Sequence, residues 1–352
     1  MSVANPANLK EVQNLKQKFI VFCVARVPQT QRLYIGSSDF KVYEIDLAAE
    51  KPEPVPFLGE GHESYVTGVA LSGYHLVSGG YDGRLVWWET ETRKPIRVAH
   101  AHEKWIRRVV ASPDGSLVAS IADDMVCKLW DSKTGELVRE VTDHPPLTPN
   151  HYPSMLYALA FSSDGKLMAT GDKVGHVAVW ETDTGKKIGE VEAPILYTWD
   201  PKQRRHSIGG IRSLAFSADS KMLAVGGIGT IGNIDHLGGP SRIEVFDWKA
   251  GKRLHEISDE KLKGLNQQIN FHPSGDWIVA VGGDHKGFVS FWDMKTGKLL
   301  HQSAANEHIH GAAVNEAFDT LYTVHHQRIM KWEFQGTPPP VEAPKPKNTS
   351  GV

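Results

Sequence analysis

The sequence predicts an all-β fold built from one four-stranded antiparallel unit repeated seven times, and three observations predict it. First, stretches such as "RVVASPDGSLVASIADDMVCKLWDSKTGELVREV" and "YALAFSSDGKLMATGDKVGHVAVWETDTGKKIGEV" share four short alternating runs. Second, hairpin signals separate the runs at fixed places. Pro113-Asp-Gly, Ser163-Asp-Gly and Ser274-Gly follow the first run, and Lys133-Thr-Gly, Asp183-Thr-Gly, Ala250-Gly and Lys295-Thr-Gly follow the third. Third, an aromatic or apolar residue followed by an acid ends the third run seven times: Ile45-Asp46, Trp88-Glu89, Trp130-Asp131, Trp180-Glu181, Phe246-Asp247, Trp292-Asp293 and Trp332-Glu333. These pairs lie 43, 42, 50, 66, 46 and 40 residues apart, and the two widest gaps contain the long loops 143–154, 193–209 and 227–240.

In chain order, residues 1–7 are a short N-terminal extension, residues 8–335 carry the repeats, and residues 336–352 are a proline-rich tail without apolar periodicity, expected to be disordered. The early run "KFIVFCVA" is only about seven apolar residues long and leads into more of the same pattern, so it reads as a strand and not as a signal segment. No apolar stretch approaches the roughly 18 residues of a transmembrane helix. With a formal net charge of -2, neither nucleic acid nor an acidic membrane is expected as a partner. The two cysteines, Cys23 and Cys127, sit in apolar runs, which predicts buried thiols and a reducing, cytoplasmic compartment.

Period, turn chemistry and the aromatic-acid pair together resemble the WD-repeat β-propeller family over roughly residues 9 to 335. The resemblance implies a ring of seven blades that cover one another's faces. Blade seven lacks a fourth strand before the proline tail, so "NLKEVQNLK", residues 8–16, is expected to supply it and close the ring. The family also implies a hydrogen-bonded structural set in each blade: a histidine, a Ser or Thr, an Asp and the Trp. His62, Ser78, Asp82 and Trp88 match it in blade two, and His102, Ser120, Asp124 and Trp130 in blade three. Elsewhere the match is incomplete, with Val174, Lys286 and His326 at the Asp position of blades four, six and seven, and His308 filling the histidine position of blade seven.

Gly227-Ile-Gly-Thr-Ile-Gly232 is a G-x-G-x-x-G after a strand-like run, the pattern of a dinucleotide-binding turn. The short glycine-rich segment that follows cannot hold a crossover helix, so the stretch reads instead as a lengthened turn of blade five, and no nucleotide or other cofactor is expected. That turn is read as a lid, a binding arm, or a hairpin burying Ile228, Ile231, Ile234 and Leu237 against a neighbouring blade. Among the 17 histidines, His310, His325 and His326 are weak candidates for a metal, since alternate residues of a strand share a face.

Nothing assembles a nucleophile, base and orienting acid, and Asp123 beside Asp124 reads as a solvated carboxylate. The first strand of each blade lines the channel. Its mouth is expected to carry Phe22, Thr67, Arg107, Tyr157, Arg212, Gln267 and Ala312, with Ile20, Tyr65, Trp105, Met155, Gly210, Leu265 and His310 two residues earlier. Blades two to five thus bring together Tyr65, Trp105, Arg107, Met155, Tyr157 and Arg212, aromatic and arginine types that dominate binding hot spots, joined by Trp199, Arg204 and Arg205 from the loop entering blade five. No acid is evident beside the two rim arginines, so the expected ligand is a protein or peptide with acidic or phosphorylated groups. The reading is a non-catalytic binding scaffold. Its rivals are a propeller hydrolase or lactonase with a His/acid or metal site at the top opening, and an architectural subunit of a larger complex.

Overall fold

Each repeat folds as a meander because its alternating runs bury one set of side chains while Gly or Asx turns reverse the chain. Gly115, Gly135, Gly165 and Gly185 all adopt positive φ at these reversals. In a computed structural model describing residues 5–73, 75–202, 206–233 and 235–334, seven four-stranded antiparallel sheets result, each in simple sequence order from the channel outward except the last. Blade one begins at Val21–Arg26, blade two at Val66–Ser72, blade three at Ile106–Ala111 and blade four at Leu156–Phe161. Blade five begins at Ser213–Phe216, blade six at Leu265–Phe271 and blade seven at Ile309–Val314.

Leu9–Lys16 pairs antiparallel with Arg328–Phe334 and supplies the outer strand of blade seven, from Leu9 opposite Phe334 to Lys16 opposite Arg328. The first and last described strands therefore meet in one sheet, which completes blade seven and closes the ring. Residues 1–4 and the tail 336–352 lie outside the described residues.

A four-stranded sheet has two faces to cover, and neighbouring blades cover them. Buried clusters sit between successive blades all the way round, including Leu33, Ile35 and Ile45 of blade one against Tyr322, Val324 and Ile329 of blade seven. An eighth cluster joins Ile228 and Ile231 of the long blade-five turn to Leu265 of blade six, with Ile208 and Leu237 packed beside it. That turn connects Met222–Ile228 to Pro240–Asp247, which pair antiparallel, so the glycine motif opens no helix. Ile234 lies outside the described residues.

The segment read as a loop entering blade five is partly regular. Tyr197–Asp200 and His206–Gly209 form a two-stranded hairpin of their own, because the alternating "YTWD" can pair with "HSIG" across the turn. Ile231 N–H donates to Thr198 Oγ1 at 3.1 Å, fixing the blade-five turn onto this hairpin.

Candidate functional site

One backbone irregularity builds the mouth of the channel. In six blades the pairing of the first and second strands slips by one residue near the start of the first strand, as between Val66 and Gly68, Ile106 and Arg108, and Leu156 and Tyr157's neighbour Ala158. A bulge of this kind turns one side chain out of the ladder. The residues so released are Phe22, Thr67, Arg107, Tyr157, Gln267 and His310, and Arg212 stands at the same place just before Ser213. Blade seven corrects the sequence expectation: His310, not Ala312, is the mouth residue. Its turn starts at Asn315, whose side chain accepts from the amides of Asp319 and Thr320 in place of the usual Ser-Asp-Gly arrangement. Without that signal the sequence places the mouth position two residues late, at Ala312, which is buried in the ladder opposite Thr323.

Arg107 is not free. Its guanidinium makes a bidentate pair with Asp123, Nε to Oδ1 at 2.7 Å and an η-nitrogen to Oδ2 at 2.6 Å, and donates to Tyr81 Oη at 2.7 Å. Two expectations are corrected here, that no acid attends the rim arginines and that Asp123 is solvated. Asp123 lies one turn away in sequence but is carried back to the rim by the second strand of the same blade. Burial opposes the charge on Arg107, yet the bond to Asp123 holds its pKa above the ordinary value. The guanidinium also lies 5.0 to 5.3 Å from the ring centroids of Tyr81, Trp105 and Tyr157.

Arg212 differs. Its guanidinium stacks on Tyr157 at 3.6 Å, donates to the Gly209 carbonyl at 3.1 Å, and leaves Nε buried without a partner. Lys173, which the sequence did not single out, joins this group: it is 6% exposed, and burial lowers its pKa, with Tyr157, Arg212, Asp123 and Arg107 close enough to act on it. Among the described residues neither Arg212 nor Lys173 pairs with a carboxylate. The signal for Lys173 would have been its position immediately after the strand that carries Thr170, at the same edge as Asp123.

Beside this charged centre runs an aromatic belt. Tyr81 and Trp105 stack at 4.5 Å with an 8° tilt, Tyr65 lies 5.9 Å from Tyr81, and Phe40 lies 5.8 Å from Tyr65. Trp105 is 50% exposed, so it does not plug the structure beneath a loop. An open cleft of about 410 Å³ lies against it, lined by Tyr81, Trp105, Asp123, Pro153, Ser154 and Met155. Tyr157 Oη approaches Met155 Sδ at 2.7 Å. Trp199 sits farther out, 5.2 Å from Tyr152, where the hairpin meets the loop before blade four; Arg204 and Arg205 lie outside the described residues.

The polar sets that stiffen the blades are bonded as follows. His62 Nε2 is 2.7 Å from Ser78 Oγ, which accepts from Trp88 Nε1 at 2.7 Å, and His62 Nδ1 faces Asp82 at 3.1 Å. Blade three repeats this with His102, Ser120, Trp130 and Asp124. Although burial pushes the Asp82 and Asp124 carboxyls up, the histidine and backbone amide bonds bring both below the usual range. Blade four is a correction: His144, Thr170 and Trp180 form the same chain, and Asp172, not Val174, completes it, with Nδ1 of His144 at 3.1 Å. Its carboxylate reaches forward to the amides of Val174 and His176 and so does the work of an Asp two residues later.

Blade seven is corrected too. Trp332 Nε1 donates to Thr323 Oγ1, and His325, not His308, lies 2.7 Å from that hydroxyl. His308 turns to the channel mouth beside Gln267 at 3.1 Å. The three weak metal candidates are therefore divided, since His325 is fully buried in the blade while His310 and His326 face each other at a 5.8 Å ring separation. Asp143, His176 and Glu190 bring ligand atoms within 4.8 Å of one another, but Lys187 occupies that group, 2.7 Å from Asp143 and 2.5 Å from Glu190.

Comparison with known proteins agrees with this architecture. The model for "WD domain, G-beta repeat" matches residues 53–89 and 93–131, blades two and three in large part. Telomerase protein component 1 of Mus musculus is 27% identical over 287 residues, 81% of this chain and 10% of its own length. The guanine nucleotide-binding protein subunit beta of Zea mays is 28% identical over 170 residues, 47% of this chain and 42% of that one. Eukaryotic translation initiation factor 3 subunit I of Candida albicans is 27% identical over 214 residues, 59% of this chain and 53% of that one. The chain thus spans about half or less of the length of these relatives. With seven meander blades, the His–Ser/Thr–Trp sets and these matches together, the chain is a seven-bladed β-propeller with WD-type repeats, similar to WD-repeat proteins.

Proposed function

We propose that this propeller is a non-catalytic binding scaffold whose top-face rim over blades two to five takes an acidic or phosphorylated segment of a partner protein. The observation that carries the reading is the pair of basic side chains at the mouth, Arg212 and Lys173, which lie by Tyr157 and, among the described residues, pair with no carboxylate, while Arg107 is bonded to Asp123. A carboxylate or phosphate arriving there would accept charge-assisted hydrogen bonds in partly desolvated surroundings. Trp105 and Tyr65, half exposed on the adjoining belt, supply the apolar area that fixes a peptide backbone alongside. Relatives named as subunits or components of assemblies support a scaffold over an enzyme. The proposal places the protein in the cytoplasm, supported by Cys23 and Cys127 being unpaired thiols.

The test is recovery of partners from lysate on the full-length protein, identification by mass spectrometry, and affinity measurement with the purified partner. Arg212→Ala and Trp105→Ala should each weaken binding by about 2 kcal/mol or more while the melting temperature stays near wild type. Equal binding of a recovered partner to both variants would refute the rim as its site, and loss on changes to the exposed outer strands would favour the architectural-subunit reading.

A further inference from the structure

Below the mouth, the channel itself contains a charge with no answer. Arg108 follows the bulge of blade three, and the residues at the same register in the other blades are Cys23, Gly68, Ala158, Ser213, Gln268 and Gly311, none of them charged. Its side chain lines a cavity of about 230 Å³ with Cys23, Thr67, Gln268 and His310, and no acidic residue lines that cavity. Among the described residues the guanidinium makes no hydrogen bond or ion pair. Cys23 offers no counter-charge, because burial pushes its thiol up to about 12. Thr67 donates to the Ile106 carbonyl, and the Gln268 amide is committed to both backbone groups of Ala312. His310 Nε2, by contrast, is buried and unpartnered.

A guanidinium cannot shed its proton, so a part-buried one that faces the channel with no carboxylate partner among the described residues attracts a counter-ion. We propose that the channel holds a small inorganic oxyanion of the phosphate class, bound by the Arg108 guanidinium in the cavity that His310 also lines. Arg108 presents planar paired donors that match an oxyanion edge, and the cavity has room for the ion with part of its hydration, a water occupying about 30 Å³. The site is separate from the rim: Arg212, Lys173 and Tyr157 do not line this cavity. Its role would be to tie blades one, two, three, six and seven together at the axis, since side chains from all five line it.

Inorganic phosphate titrated into the full-length protein by calorimetry at constant ionic strength tests this, with Arg108→Gln and, as a second neutral replacement, Arg108→Met. Wild type should show saturable binding that weakens at least tenfold in either variant and persists in Arg212→Ala. In phosphate-free buffer both variants should melt above wild type, and the difference should shrink as phosphate is added, because the replacement removes a charge that only the anion compensates. Absence of saturable binding to wild type would overturn the proposal. So would binding retained by both Arg108 variants, or binding lost only in Arg212→Ala, which would assign the anion to the rim.

Discussion

The two sides of the channel mouth place their side chains alike and differ in the charge those side chains carry. Over blades three and four the bulge exposes Arg107 and Tyr157, and Arg212 takes the same place in blade five without one; over blades six and seven the bulge exposes Gln267 and His310, with His308 and His326 alongside. In the first half each guanidinium lies against a carboxylate or an aromatic face. In the second half burial, and then the neighbouring imidazoles, depress two of the histidines, His308 to about 4 and His310 to about 2. One geometry therefore specifies where a side chain points and leaves its charge to what surrounds it.

The largest expected effect breaks the comparison at its weaker end. Removing residues 1–17 deletes the outer strand of blade seven and should lower the melting temperature by many degrees, whereas removing 337–352 should change it little. Equal melting of both truncations and the full chain would show that the ring does not depend on this closure.

Next is the charged half. Arg107→Ala should destabilise by about 1–3 kcal/mol in denaturant titration, since it strands a largely buried Asp123 carboxylate. Arg107→Ala with Asp123→Ala should recover part of that loss, and strictly additive effects would mean that the pair is not coupled.

The neutral half predicts a pH dependence. For His308, His310 and His325 the folded pKa lies below the unfolded value of 6.5, so the unfolded chain binds more protons as the solution is acidified. Their contribution is intact above about 6.5 and is lost as pH falls toward about 4. His176 has the opposite sign: burial lowers its pKa, but Asp143 and Glu192 bring the net value above 6.5. Its stabilisation is complete below 6.5 and lost as pH rises through the raised pKa. Melting at pH 5.5 and 7.5 should thus show His310→Gln with a shallower acid loss than wild type and His176→Gln with a steeper one; a matching change in both would contradict this division.

The smallest effects concern the glycine motif. A Cβ on Gly227 would meet the Gly210 carbonyl oxygen at 2.6 Å, so Gly227→Ala should destabilise measurably, while Gly232 has nothing within 4 Å and Gly232→Ala should fall within about 0.5 kcal/mol of wild type. Neither should alter calorimetric titrations with NAD or ATP, which should be flat.

What the sequence determined by itself was whatever repeats locally: strand alternation, turn glycines and the aromatic-acid pair set seven meanders, and the leftover strand at residues 8–16 had one vacancy to fill. Position on the rim was legible for Arg107, Tyr157, Arg212, Trp105 and Tyr65 because the distance from bulge to turn is constant, and it failed in blade seven where Asn315 replaces the usual turn residues. Pairing was not legible. Asp123 reaching Arg107, Asp172 standing in for a residue two places later, His325 displacing His308 and Lys173 joining Arg212 all depend on which side chains two strands or two blades place within about 3 to 5 Å, a short-range matter of hydrogen bonds and desolvation that sequence spacing does not encode. Only the closed ring decided which charges are answered, and among the described residues it leaves Arg108 in the channel without a carboxylate.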